Sequence, residues 1–391
     1  MTAPAPDRRE IRYAATLSGV IALRMMGLFL LLPVFMILAV DVPGYTPLLA
    51  GIAVGIYGLT QAILQQPFGW LSDRWGRKPV LMIGLALFAA GGAIAAMVET
   101  MPALIAGRAL QGCGAIAGVA MALAADVTRP ERRSVIMAVI GIGIGASFLV
   151  SMLASVPLAM LLGLRGLFWL TAAFAVAGMV LVATVPAVPP APAQEKSGQD
   201  EPLGPVWLLA ISVFLLHAVM TLLFVTFPPM LVERMGIELA AHWKLYVPTM
   251  LLSVILVFPA LHRIGATLSE HRYLPWAFGA LALALAAMPY GDAWWILGAA
   301  LTLYFLGFNL LESAMPAVLS RLTGSRGRGR KMGLYSSFQF VGAFIGGVVG
   351  GALLARLGST AALVGAGAVC GLWGMLLGRL ISGRFPTGSA D

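Results

Sequence analysis

The chain is a succession of long apolar runs separated by short polar breaks. Residues 206–233 read VWLLAISVFLLHAVMTLLFVTFPPMLVE, with a single histidine and a terminal glutamate as the only ionisable positions. A helix crosses the hydrocarbon of a bilayer in about 20 apolar residues, so runs of this kind constrain the fold more than any other feature. Twelve can be placed, at about 13–40, 47–71, 79–98, 101–125, 135–161, 166–186, 206–233, 243–261, 273–290, 293–319, 332–355 and 359–381. They predict an all-α membrane protein of twelve transmembrane helices, because lipid offers no partner to an open backbone. A β-barrel would alternate in strands of about ten residues, and these runs do not alternate. The composition agrees. Only 10% of residues are charged, against about 25% in soluble domains, and mean hydropathy is +0.93. A water-soluble or disordered chain is excluded.

The net charge of +9 raises the question of nucleic acid, and its distribution answers it. If both termini are cytoplasmic, nineteen of the 25 Lys and Arg fall in inside loops and four outside, while Arg24 and Arg108 lie within spans. This is the positive-inside pattern. The basic excess sets topology and meets anionic headgroups, so the predicted location is the inner membrane, multi-pass, with no nucleic-acid partner. The first apolar run is too long for a cleaved signal peptide and reads as a signal-anchor. Cys113 and Cys370 are the only cysteines, both within apolar helices, so neither a disulfide framework nor a cysteine metal site is expected.

The longest polar, Pro-rich stretch divides the spans six and six. It predicts an N-terminal bundle over 1–186, a cytoplasmic linker over 187–205 and a C-terminal bundle over 206–391. A faint echo at an offset of about 195 residues points to two parallel repeats: Pro33 ends an apolar run as Pro228 does, and Met137 opens a Gly-rich helix as Met332 does.

The most specific local pattern is Gly69-Trp70-Leu71-Ser72-Asp73-Arg74-Trp75-Gly76-Arg77-Lys78-Pro79, between the second and third spans. It resembles the G-x-L-x-D-R-x-G-R-K signature of the major facilitator superfamily, with every defining position filled. Gly69 is expected to permit close helix approach and Gly76 a tight turn. Asp73 needs a cation, and Arg77 stands four residues on. On the fourth span, Arg108-Ala109-Leu110-Gln111-Gly112-Cys113-Gly114-Ala115 is similar to the R-x-x-Q-G-x-G-A pattern of drug-type antiporters in that superfamily. Small residues at 112, 114, 115 and 118 are expected to admit a neighbouring helix. Relatives place an acid at the end of this helix in a charge relay, which here would join Asp73, Arg77 and Asp126, with Gly69, Arg74, Gly76 and Lys78 completing the gating loop. Asp73 would also face the positive N-terminal end of the eleventh span, near Lys331 or Met332. The fifth span keeps Gly141, Gly143 and Gly145, but Ser155-Val156 replaces the usual Gly-Pro pair and Pro157 is displaced.

The runs Gly55-Ile56-Tyr57-Gly58-Leu59-Thr60-Gln61-Ala62, Ala241-His242-Trp243-Lys244 and Phe308-Asn309-Leu310-Leu311-Glu312 are similar to those of YajR-type transporters. So are Leu23-Arg24-Met25 and Met332-Gly333-Leu334-Tyr335-Ser336. The resemblance covers roughly 13–381. The extra soluble C-terminal domain of YajR itself is expected to be absent, since the chain ends about ten residues after its last span. The resemblance implies two pseudo-symmetric six-helix bundles and a proton-driven exporter of a drug-like molecule or metabolite. Proton symport for uptake is the alternative, and a channel or receptor a distant one.

Buried ionisable groups point to the coupling site, because each is costly within a span. Glu312 is the acid well inside a span, His217 lies near the middle of the seventh, Arg24 near the middle of the first, and Arg108 within the fourth. The resemblance implies that these four helices line the central cavity. Glu312 is expected to carry the proton, in competition with a cationic or a polar, apolar-bodied substrate, or else to pair structurally with Arg24. His217 either shares the proton or is a hydrogen-bonded interior histidine. Arg24 suits a fixed countercharge or anion contact, because guanidinium does not deprotonate. Gln61, Gln65, Gln111 and Asn309 are candidates for the substrate cavity, although Gln61, Gln65 and Gln66 could equally bond between helices.

An enzyme is not expected: the four histidines are scattered, and no zinc, nucleophile-elbow or phosphate-loop motif is present. The same absence argues against a self-contained ATP-driven pump. The expected partners are a small-molecule substrate, protons and the lipid bilayer, with no cofactor, no metal and a monomer as working unit.

Overall fold

The computed structural model describes residues 8–129, 132–185, 204–267, 270–322 and 328–381. Among them the regular structure is helical throughout: α1 (Arg8–Phe29), α2 (Phe35–Leu38), α3 (Pro47–Trp75), α4 (Arg77–Met97), α5 (Met101–Cys113), α6 (Ala117–Asp126), α7 (Arg133–Ala183), α8 (Gly204–Glu233), α9 (Trp243–Thr267), α10 (Glu270–Ala287), α11 (Trp294–Leu322) and α12 (Arg328–Ile381). Nine helical stretches of the described residues are long and apolar enough to cross a membrane. The expected linker at 187–205 lies outside the described residues, except for Gly204 and Pro205, which open α8.

Helix ends follow local chemistry. The Thr46 side chain caps α3 by accepting from the Leu49 amide at 3.1 Å, with Pro47 in the first turn. Gly76 makes the turn from α3 to α4 at φ +92°, where a Cβ would be strained. The first predicted span is not one helix. Pro33 has no N–H for the Phe29 carbonyl, so the chain leaves α1 at Phe29, turns, and resumes as α2. Pro228, expected to end a run as Pro33 does, instead sits inside α8 together with Pro229, and the helix continues to Glu233. The fourth predicted span is likewise interrupted, between Cys113 and Ala117. Conversely, the gaps at 162–165 and 356–358 shrink to one residue each. Gly163 (φ 63°, ψ −176°) breaks α7, and Gly358 (φ 78°, ψ 173°) breaks α12. Only glycine adopts such a conformation readily.

The chain divides into two compact units, Met1–Gly198 and Gln199–Asp391. In the first, α7 packs against α1 and α4, and α5 against α3 and α4. In the second, α12 packs against α8 and α10, and α11 against α9 and α10. The pairing scheme is the same in both. Glycines set the closest approaches. A Cβ on Gly342 or Gly346 of α12 would come within 2.1 Å and 2.0 Å of the Phe214 and Ala218 carbonyl oxygens of α8. In the first unit, Gly112 would meet the Tyr57 carbonyl at 2.2 Å and Gly114 that of Gly84 at 2.3 Å. Gly69 and Gly118 differ from expectation: among the described residues a Cβ at either meets nothing within 4 Å, so neither serves close packing against them.

The outward surfaces are apolar. Ile142, Leu161, Phe258 and Leu283 are exposed, as are eight of the nine tryptophans, among them Trp75, Trp207, Trp243, Trp294 and Trp295 at helix ends. Tryptophans concentrate in this way at the two membrane interfaces.

Candidate functional site

Among the described residues, three polar clusters bear on the site, two in the first unit and one in the second. The first is at the α3–α4 turn. Arg77 Nη1 donates to Asp73 Oδ1 at 2.5 Å and to Ser72 Oγ at 2.6 Å, and its Nε donates to Asp126 Oδ2 at 3.1 Å. Ser72, fully buried, donates in turn to the Gly69 carbonyl at 2.7 Å. Arg74 stacks on Trp70, its guanidinium carbon 3.9 Å from the ring centre. Lys78 Nζ donates to the Ala183 and Val185 carbonyls at 2.8 Å and 2.6 Å, which places a cation at the carbonyl end of α7. Of the loop residues named from the sequence, Gly69, Asp73 and Arg77 therefore share one hydrogen-bonded turn, which Asp126 joins from α6, while Lys78 bonds to α7 instead and Arg74 stacks on Trp70. Ser72 is a member that the charge pattern did not single out.

The second cluster lies deeper in the first unit, around Tyr57. Arg108 spends its donors on the Ala53 carbonyl (3.1 Å), the Val54 carbonyl (3.4 Å) and Gln111 Oε1 (2.9 Å). Gln111 then donates to Thr171 Oγ1 at 3.0 Å. Gln111 was expected on a cavity wall. It is instead fully buried and tied on both ends of its amide, because Gly91 and Gly92 bring α4 onto it. Its role in this structure is to lock α5 to α7. Arg24, 1% exposed, donates to Gln61 Oε1. Both guanidinium groups lie within 6 Å of the Tyr57 ring, at 5.7 Å and 5.3 Å, and Arg24 is also 5.8 Å from the ring of Phe88. Gln65, one turn on from Gln61, is partly buried, and its Oε1 has no partner.

The third cluster joins α8, α11 and α12 in the second unit. His217 Nδ1 lies 3.1 Å from the Val213 carbonyl, and its Nε2 lies 2.8 Å from Gln339 Nε2. Glu312 Oε2 is 3.7 Å from His217 Nε2, and Glu312 Oε1 accepts from Gln339 Nε2 at 3.5 Å. The geometry assigns the tautomer: Nδ1–H donates to Val213, and Nε2 presents a lone pair to the Gln339 amide. Glu312 keeps 39% side-chain exposure, but its Oε2, the oxygen facing His217, is buried without a hydrogen-bond partner, and His217 is enclosed against Phe308. Asn309, expected in the cavity, donates to Ser253 Oγ at 3.3 Å and so bonds α11 to α9. Gln339 was not legible as a site residue. A helical position four residues after Tyr335 is the only signal for it, and that spacing gives a shared face without a partner.

The helical architecture, the filled signature loop and the buried charges are those of a membrane carrier. Residues 17–311 match the profile described as Major Facilitator Superfamily, and the chain belongs to that family. It is 37% identical to the inner membrane transport protein YajR of Escherichia coli over 351 residues, covering 88% of this chain and 77% of YajR. It is 32% identical to the multidrug resistance protein MdtL of Escherichia fergusonii over 199 residues, 48% of this chain and 50% of that one. In fold it matches the crystal structure of a bacterial homologue of the human lysosomal transporter Spinster, with TM-score 0.77 and 12% identity, over 98% of this chain and all of that one. The protein is thus a small-molecule transporter and not an enzyme.

Proposed function

We propose that the chain is a proton-driven exporter of a drug-like molecule or metabolite, working by alternating access in the inner membrane. In this reading it has twelve crossings, both termini in the cytoplasm, no cofactor, and the monomer as working unit. The observation that carries it is the His217–Gln339–Glu312 cluster, an acid and a histidine bridged by one amide between helices of the second unit. A proton arriving at His217 Nε2 removes the lone pair that Gln339 engages. The imidazolium must then donate to the turned Gln339 amide oxygen or to Glu312 Oε2. A proton on Glu312 instead cancels the charge facing His217. Either way proton occupancy rewrites the contacts between α8, α11 and α12, which is what coupling requires. Export is supported by the name of one relative, a multidrug resistance protein. The Asp73–Arg77–Asp126 cluster serves as the gating element in this scheme, shifting the population of states when a carboxylate is neutralised. A membrane potential of 100 mV adds about 2.3 kcal/mol per charge moved across, enough to drive useful accumulation.

Everted membrane vesicles holding the protein, energised to an acid interior, test the reading against a panel of compounds. Addition of a transported compound should release protons from the wild-type vesicles. Glu312→Gln should abolish the release, and Gln339→Leu should slow it by about tenfold. A proton response that survives Glu312→Gln intact would remove Glu312 and leave His217 as carrier. A wild type silent to the whole panel would overturn proton coupling.

A further inference from the structure

Arg24 and Arg108 flank the same tyrosine, yet only Arg108 is satisfied. Each of its guanidinium nitrogens has an oxygen acceptor. Arg24 has one, Gln61 Oε1. Arg24 Nε and Nη1, Gln61 Nε2 and Tyr57 Oη are all buried without a partner. Arg24, Tyr57 and Gln61 are 1%, 2% and 0% exposed, so water does not serve these atoms from outside. Every one of the four atoms carries hydrogen to donate. The nearby unpartnered acceptor is neutral: Gln65 Oε1, one turn along α3.

Among the described side chains of the unit, no carboxylate answers this charge. Among the described side chains of the first unit, Asp73 and Asp126 are held by Arg77, Glu99 pairs with Arg165 at 3.2 Å, and Asp41 is exposed. No aspartate or glutamate is among the buried side chains described. A buried cation persists only where something compensates it. The rings of Tyr57 and Phe88 close the other sides and provide surroundings of low dielectric, in which an anion would be held strongly.

We propose that Arg24, Gln61 and Tyr57 form an anion-binding site for the carboxylate of a small organic acid, which would be the polar end of the transported molecule. This rests on the reading of the chain as an exporter and narrows its substrate class. The carboxylate accepts from the Arg24 guanidinium, with Gln61 Nε2 and the Tyr57 hydroxyl as further donors, and the apolar body of the acid lies against the aromatic rings. Arg108 is the positioning residue, fixed to α3 and α5 so that Tyr57 stays between the two cations.

Calorimetric titration of the purified full-length protein in detergent, with acetate, benzoate and 3-phenylpropionate, tests the site without any gradient. Benzylamine and sodium chloride are the controls. At least one monocarboxylate should bind saturably, and benzylamine and chloride should neither bind nor compete. Arg24→Met should lower the affinity at least tenfold, and Arg24→Lys less. Tyr57→Phe, which removes one hydroxyl and little volume, should lower it several-fold and keeps the test valid if the Arg24 variants do not fold. Failure of every monocarboxylate, equal binding in wild type and Arg24→Met, or displacement by chloride would overturn the proposal. Carboxylate binding without proton movement would leave this site standing and remove the exporter reading. Proton-coupled flux of neutral or cationic compounds unaffected by Arg24→Met would do the reverse.

Discussion

Arg77 opens α4 and Asp126 closes α6, so each stands at the helix end whose partial charge repels it, and Asp73 in the last turn of α3 is placed no better. Their mutual hydrogen bonds offset this, and they do so unequally. Arg77 holds both acids, whereas each acid holds one cation. Asp73 is 59% exposed, and an exposed pair contributes at most about 1 kcal/mol. Asp73→Asn should therefore lower thermal stability slightly. Arg77→Gln leaves two carboxylates at carbonyl ends and should cost about 1–2 kcal/mol, between the values for exposed and buried pairs. Unfolding in detergent followed by intrinsic fluorescence would compare them, and equal losses would show that Arg77 is not the hub. This cluster was legible because Asp73 and Arg77 are four residues apart beside a turn glycine in a family signature. Tyr57 and Gln339 were not, since apolar periodicity says which face a residue occupies and nothing about which side chain meets it from another helix.

At the level of helices, absent side chains decide the packing. Gly342 and Gly346 of α12 face backbone oxygens of α8, and Gly350 follows with the Leu222 Cα 3.1 Å from where a Cβ would sit. Small residues every four positions form one stripe on which a neighbouring helix can lie close. The register 195 residues earlier holds Ser147, Ser151 and Ser155, all buried, with Ser151 donating to the Met26 carbonyl of α1 at 3.3 Å. Gly346→Val should push α8 away, cost about 1–3 kcal/mol or more, and lower the yield of folded protein on size-exclusion chromatography. Gly69→Ala meets no atom of the described residues and should leave the yield unchanged. A tolerated Gly346→Val would mean that α8 and α12 are looser than this contact requires. Run length placed the helices within a few residues. It missed the interruptions after Phe29 and Cys113, because hydropathy is blind to backbone donors and to the close approach of Gly84.

The two units share a pairing scheme, and the left-handed breaks at Gly163 and Gly358 stand 195 residues apart, the offset already visible between Met137 and Met332. One pairing scheme thus carries two different interiors, a donor-rich one with Arg24 and an acid–histidine one with Glu312 and His217. That division of labour suits a carrier in which one unit grips the substrate and the other the proton. The direction of coupling is the central claim, and an imposed pH gradient in proteoliposomes measures it directly. A labelled compound that binds the purified protein is offered to vesicles with acid inside and with acid outside, beside protein-free liposomes. Proton antiport predicts accumulation in the acid-inside vesicles, abolished by Glu312→Gln, and for an organic acid this opposes passive distribution. Accumulation only with acid outside, or equal entry under both gradients, would contradict it.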